Sequence, residues 1–251
     1  MFSFSVSGRG DYLVLLFYLY TPLSDPPSFR KRHMLLCLGN RMRGRVLVSN
    51  EGINGTLSGR VEDALRYIGV LRRMPCFRDI DFKIERHSTH AFSKLQIRLR
   101  DEIVRMGMPN LDPRARTGEY LHPWEVEELV RKTKDLIFLD VRSQHEHALG
   151  RFKDAITLDM RYFREFPNYI SSLMRYRNKK IITYCTGGIR CEKASSYLLS
   201  RGFSDVSQIK GGILNYIQQT SGSLFEGSCY VFDHRVLSHV GREDYRVIGK
   251  C

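Results

Sequence analysis

The six cysteines of this 251-residue chain, Cys37, Cys76, Cys185, Cys191, Cys229 and Cys251, include no pair at C-x-x-C spacing. Disulfide frameworks and zinc sites both draw on closely spaced Cys or His, so neither is expected, and each cysteine is judged by its own surroundings. Long apolar runs are missing as well. Tyr12 to Tyr20 (YLVLLFYLY) is the one candidate, and it is about half the ~20 residues a bilayer-spanning helix needs. Arg9 before it is offset by Asp11 and no small-residue cleavage site follows, which speaks against a signal peptide. The expectation is a cytoplasmic protein with no membrane partner. There is no dinucleotide-binding fingerprint either, so no cofactor is identifiable from motifs, and no protein partner.

Acidic residues are in short supply: 27 Asp and Glu face 40 Lys and Arg, for a net charge of +13. Of the basic residues 29 are Arg, whose planar fork suits phosphate. Residues 1–110 carry 18 basic against 10 acidic residues, and residues 111–251 carry 22 against 17. Nucleic acid is therefore a natural partner, and the front half is the more densely basic. The clusters Arg41, Arg43, Arg45 and Arg175, Arg177, Lys179, Lys180 are candidate phosphate contacts, with a solvated face as the default for each.

Hydrophobic residues make up 42%, enough for folded domains, and the length suffices for two. The front half reads strand (Tyr12–Tyr20), helix (Pro26–Gly39, with Asp25 as cap and prolines in its first turn), and strands Gly44–Ser49 and Ile53–Ser58 about a tight turn. Helix Val61–Met74 and strands Ile80–Glu85 and Lys94–Asp101 follow. This β-α-β-β-α-β order with one extra strand is that of an α+β ferredoxin-like domain. Residues 105–120, rich in Pro, Gly and charge, read as a linker arm. Beyond it the rhythm is α/β: strands Leu136–Val141, Ala155–Leu158, Lys180–Tyr184 and Val206–Ile209, with helices Glu192–Arg201 and Gly212–Gln219. That pattern implies a small doubly wound parallel sheet. The divisions expected are 1–110, a front domain that binds nucleic acid, 111–222, and a tail over 223–251.

Strand Lys180–Tyr184 runs directly into Cys185-Thr186-Gly187-Gly188-Ile189-Arg190 and then a helix. A cysteine between a strand end and a helix start sits where backbone N–H groups converge, an anion cradle that favours thiolate over thiol. Gly187 and Gly188 permit the turns such a ring of amides requires, and Arg190 places a positive charge at the far lip. Cys185 is thus the candidate nucleophile, with Thr186, Gly187, Gly188, Ile189 and Arg190 as its cradle. Asp140 ends the neighbouring central strand, and with Arg142 it offers an ion pair to brace the loop, or Arg142 is a surface residue.

These strings carry a resemblance. LDVRSQHEHALGRFKDAI (Leu139–Ile156) and CTGGIRC (Cys185–Cys191) resemble the signature and active loop of rhodanese domains, whose cysteine becomes a persulfide. Phosphatases of that fold place arginine six positions after the cysteine. Here it is five, as in sulfur-handling members. With SNEGINGTLSG, GFSDVSQIKGGILNY and GSCYVFDHRV, the match runs from about residue 12 to 245 and is to the rhodanese-like tRNA uridine hydroxylases. The resemblance implies an α/β rhodanese domain preceded by a ferredoxin-like domain, and conversion of the wobble uridine of tRNA to 5-hydroxyuridine with molecular oxygen as co-substrate. The alternative is a thiosulfate-type sulfurtransferase carrying a persulfide on Cys185. The sequence departs from the family where Ile248 stands for the first cysteine of a C-x-x-C tail pair, and where Arg151 replaces the usual histidine.

Other residues are weighed individually. Cys191 is either a resolving thiol or a packed residue of the helix's first turn. Glu51–Gly55 is a tRNA-contacting turn or simply the glycines of a hairpin. His87 and His90 read as solvated loop residues, and Trp124, after Pro123 at a helix start, as core.

Overall fold

The strand β1 (Tyr12–Tyr20) alternates so that Leu13, Leu15 and Phe17 point to one face and are buried there, as a pleated strand with one covered face requires. In this computed structural model residues 10–133 and 135–230 are described, with the backbone alone for 237–239. The chain divides into two units, residues 1–104 and 105–251.

In the first unit β1 is followed by α1 (Pro26–Gly39), β2 (Arg43–Ser49), β3 (Gly52–Arg60), α2 (Val61–Arg73), β4 (Asp81–His87) and β5 (Leu95–Leu99). The Asp25 carboxylate accepts from the Ser28 backbone N–H at 3.0 Å, which fixes the start of α1. The sheet order is β4-β1-β3-β2-β5, antiparallel except for β2 with β5. This is the ferredoxin-like arrangement with β5 as the extra strand. The core joins Leu15, Phe17, Val46 and Leu57 of the sheet to Phe29 and Cys37 of α1 and Tyr67 and Leu71 of α2.

The second unit holds β6 (Glu119–Leu121), α3 (Pro123–Lys132), β7 (Leu136–Asp140), α4 (Gln144–His147), β8 (Gly150–Phe152), α5 (Ile170–Leu173) and β9 (Lys180–Tyr184). It continues with α6 (Ile189–Ser200), β10 (Asp205–Ile209), α7 (Gly212–Gln219), β11 (Phe225–Tyr230) and β12 (Leu237–His239). Four strands form an all-parallel sheet in the order β6-β10-β9-β7. Among the described residues no helix is long and apolar enough to cross a membrane.

Several local expectations are revised. The end of the presumed linker is β6, an edge strand of three residues paired with β10, too short to show alternation. Ala155–Leu158 is not a strand; it contributes one bridge, Ile156 with Leu139. The start of the presumed tail is β11, which pairs with β8. Trp124 is not core but 54% exposed, its ring stacked on His122 at 4.3 Å. It sits in the first turn of α3, where Pro123 and Val126 are the residues that turn inward. Ile248 and Cys251 lie outside the described residues.

Candidate active site

Cys185 follows the last residue of β9 at the carboxyl edge of the parallel sheet, the edge where ligands of such sheets bind. Gly188 caps α6 in the left-handed conformation, φ +99°, which a side-chain-bearing residue resists; Gly187 does not adopt that conformation. The bend aims the Gly188 N–H at Cys185 Sγ, 3.1 Å away. A second glycine secures the loop from beneath. Gly212, φ +69°, passes so close that a Cβ there would lie 2.4 Å from the Cys185 carbonyl oxygen. In that contact Ile213 N–H donates to the Cys185 carbonyl at 2.9 Å and Leu214 N–H to that of Thr186 at 3.1 Å.

The sulfur is wholly buried. Burial pushes the Cys185 thiol up, but the Cys191 S–H, the Arg190 charge and the N–H groups of Arg190 and Gly188 outweigh it and hold the group well below the ordinary thiol value. Cys191, buried in the first turn of α6, moves the other way: burial and the neighbouring Cys185 sulfur both raise it. The two shifts run in opposite directions, so the proton of the pair is favoured on Cys191 and the negative charge on Cys185.

Arg190 is not a free charge at the lip. Its Nη1 and Nη2 donate to Glu146 Oε2 and Oε1 at 2.6 and 2.7 Å, inside the protein. Burial works against ionisation of Glu146, yet the Arg190 charge, its hydrogen bonds and the Ser143 hydroxyl hold the carboxyl down at about 2. Thr186 Oγ1 donates to the same carboxylate at 3.3 Å. Glu146 is the site residue that sequence reasoning missed. Its one local signal was Ser143-x-x-Glu146, a capping box at the start of α4, which explains a helix start without revealing the partner 44 residues on.

Asp140 and Arg142 form the anticipated ion pair, with both side chains fully buried. Arg142 Nε lies 2.9 Å from Asp140 Oδ1, and Nη2 lies 2.6 Å from both Asp140 Oδ2 and the Gly150 carbonyl. That pairing ties β7 to β8 directly beside the loop, and the surface reading of Arg142 falls away. Ile189 is the first residue of α6, which begins three residues earlier than the sequence pattern suggested. Among the described residues no cluster of three or more His, Cys, Asp or Glu has the arrangement of a metal site.

A cysteine held by a loop amide at the carboxyl edge of a parallel sheet, in a chain whose first unit is ferredoxin-like, defines a two-part architecture that the family comparisons match. Residues 12–103 match the UPF0176 acylphosphatase like domain and residues 123–219 the rhodanese-like domain. Over 241 residues the chain is 46% identical to the tRNA uridine(34) hydroxylase of Cytophaga hutchinsonii, covering 96% of this chain and 77% of that protein. The protein of the same name from Staphylococcus carnosus is 46% identical over 244 residues, with the same coverage. That of Enterococcus faecalis is 44% identical over 243 residues, 95% of this chain and 77% of its own. The chain belongs to the tRNA uridine(34) hydroxylase family.

Proposed function

We propose that the protein hydroxylates uridine 34 of tRNA at C5, with molecular oxygen as co-substrate and Cys185 as the nucleophile, acting in the cytoplasm. The observation that carries the reading is the Cys185 sulfur at the end of β9, facing the Gly188 N–H at 3.1 Å, in a chain related over nearly its whole length to enzymes of that name.

C5 of uracil is a weak nucleophile until something adds to C6. Addition of the Cys185 sulfur to C6 moves the ring's electron pair to C5 and O4, and C5 then attacks the oxidant. Loss of the C5 proton and expulsion of Cys185 from C6 restore the ring. In the net reaction one oxygen atom goes to C5 and the other leaves as water, and a dithiol reductant supplies the two electrons and two protons, ending as a disulfide. The loop N–H groups receive the sulfur's negative charge before addition and again after expulsion. Cys191, buried in the first turn of α6, serves in this reading as the resolving thiol should the Cys185 sulfur be oxidised. Arg190, Glu146, Asp140 and Arg142 act by holding the loop in shape. Uridine 34 belongs to a single-stranded loop, where splaying out a base costs little. Because Cys185 is wholly buried, its sulfur meets the base only after its cover is displaced.

The test is nucleoside analysis of tRNA from cells lacking the protein, complemented by wild type or Cys185→Ser. Wild type should restore the 5-hydroxyuridine-type nucleosides and Cys185→Ser should leave them at the level of the deletion strain, since losing a covalent nucleophile slows turnover by at least about 10³-fold. Unchanged nucleosides on deletion would overturn the reading. Tracking a Cys185-dependent adduct with tRNA containing 5-fluorouridine isolates the addition step. The second reading, a persulfide carrier, is favoured by the same cradle and predicts thiocyanate release from thiosulfate and cyanide.

A further inference from the structure

In the first unit a cavity of about 450 Å³ opens at one end of the sheet. The start of β1, the end of β3 and the starts of β2 and β5 meet there beside the residues that follow α1. Five of its side chains set its chemistry: Tyr12, Arg43, Arg60, His90 and Lys94. Its one carboxylate, Asp63, is already committed. Arg41 grips it through Nε and Nη2 at 2.9 and 2.8 Å, and Arg66 takes the same group from α2. The exposed cations Arg43, Arg60 and Lys94 have no acidic partner among the described residues.

The aromatic side of the pocket is equally specific. Tyr12 and His90 have ring centroids 4.7 Å apart, and the Arg60 guanidinium lies 6.0 Å from the Tyr12 ring. His90 is half-buried rather than solvated, with Nδ1 3.1 Å from the Ser58 hydroxyl. Burial lowers the His90 ring, and Arg43 lowers it further, which favours the neutral imidazole. Three uncompensated positive charges around a concavity attract an anion. A tyrosine face next to them offers a planar ring a place to stack, and polyanion with planar rings is the chemistry of RNA.

We propose that this pocket holds a backbone phosphate of the tRNA between Arg43, Arg60 and Lys94, with an adjoining base against Tyr12. The inference rests on the tRNA reading above and adds where the substrate is gripped, in the unit that lacks Cys185. Such a contact positions the tRNA and carries little sequence information.

The experiment measures binding of full-length protein to unmodified tRNA over a salt series, with Arg43→Gln, Lys94→Gln and Tyr12→Leu. Each Gln variant should weaken binding roughly fivefold and reduce the slope of log Kd against log salt by about 0.7 to 0.9. Tyr12→Leu should weaken binding roughly tenfold with the slope kept. Arg32→Gln, which removes an exposed charge from α1, serves as the control for net charge and should change the slope by less than half as much. In the wild type, NMR titration of the His90 ring should move to higher pH on adding tRNA, since a nearby anion favours the imidazolium. Folded Arg43→Gln and Lys94→Gln proteins that keep the wild-type slope would overturn the proposal. So would a His90 shift produced by AMP but not by tRNA, which would make the pocket a mononucleotide site. Binding is read without reference to product, so loss of hydroxylation with these effects intact would count against the reaction and not the pocket.

Discussion

The Cys185 loop and the basic pocket of the first unit both gather arginines, and they treat the charge in opposite ways. Around the loop the two arginines are buried and each is matched: Arg190 by Glu146 and Arg142 by Asp140. In the pocket Arg43, Arg60 and Lys94 stay exposed and unmatched, and the one acid is shared by Arg41 and Arg66. A buried charge without a partner costs several kcal/mol, so a buried arginine next to a reactive group implies a carboxylate that fixes its place. An exposed cation carries no such demand and remains available to a ligand. Paired charge here sets geometry, and unpaired charge awaits a polyanion.

The largest effect on that contrast should come from Glu146→Gln. The substitution leaves Arg190 buried with a neutral partner, and breaking such a pair destabilises by roughly 3–5 kcal/mol, read as a fall in the urea midpoint. The wild type should show the same dependence in its pH profile. Glu146 is held at about 2 against an ordinary value of 4.5. Above pH about 4.5 its carboxylate is ionised in both folded and unfolded chains, and the stabilisation is complete. Between about 4.5 and about 2 the unfolded chain takes up the proton first, so stability declines through that window. Glu146→Gln should lose this part of the acid profile. A variant as stable as wild type, with its acid profile unchanged, would break the distinction between paired and unpaired charge.

A smaller effect belongs to the backbone beneath the loop. Gly212→Ala must adopt φ near +69° and bring a Cβ against the Cys185 carbonyl, a strain of roughly 1–3 kcal/mol. The contact reaches the cradle itself, so the thiolate should suffer along with stability. Absorbance at 240 nm across a pH series should place the Cys185 ionisation higher in the variant. A variant that loses stability while keeping the wild-type titration would mean that the cradle does not depend on Gly212.

What was legible in the sequence was what is contiguous in it. Strand Lys180–Tyr184 and the cysteine, glycines and arginine after it stand side by side, so the loop could be found and its bend foreseen. The ferredoxin-like order was legible because its elements carry local signals, a period in β1 and α2 and a cap with prolines at the start of α1. Contacts between distant positions were not. Glu146 meets Arg190 across 44 residues, and Tyr12 meets His90 across the width of the first unit's sequence. Neither leaves a local pattern, which is why Arg190 was expected at the lip and His90 in solvent. Trp124 was misread for a different reason: its size suggested core, while the helix face it occupies points outward.

The smallest expected effect concerns Arg41, the residue that belongs to both sides of the comparison. It lines the pocket, yet it is already bound to Asp63, with its side chain 70% exposed. Asp63 is buried, but the Arg41 end of the pair is open to solvent and Arg66 remains to hold Asp63 when Arg41 is gone, so the loss stays near the scale of an exposed pair, about 0–1 kcal/mol. Arg41→Gln should therefore lower the unfolding free energy by less than about 1 kcal/mol and change the tRNA salt slope by less than half as much as Arg43→Gln. Arg41 also adopts φ +50°, unusual for a residue with a side chain. Arg41→Gly loses the same pair but relieves that backbone, and it should be the more stable of the two variants. A salt slope altered as strongly by Arg41→Gln as by Arg43→Gln would mean that pairing with Asp63 does not withdraw the charge from the RNA, and the division between structural and available arginines would have to be redrawn on exposure alone.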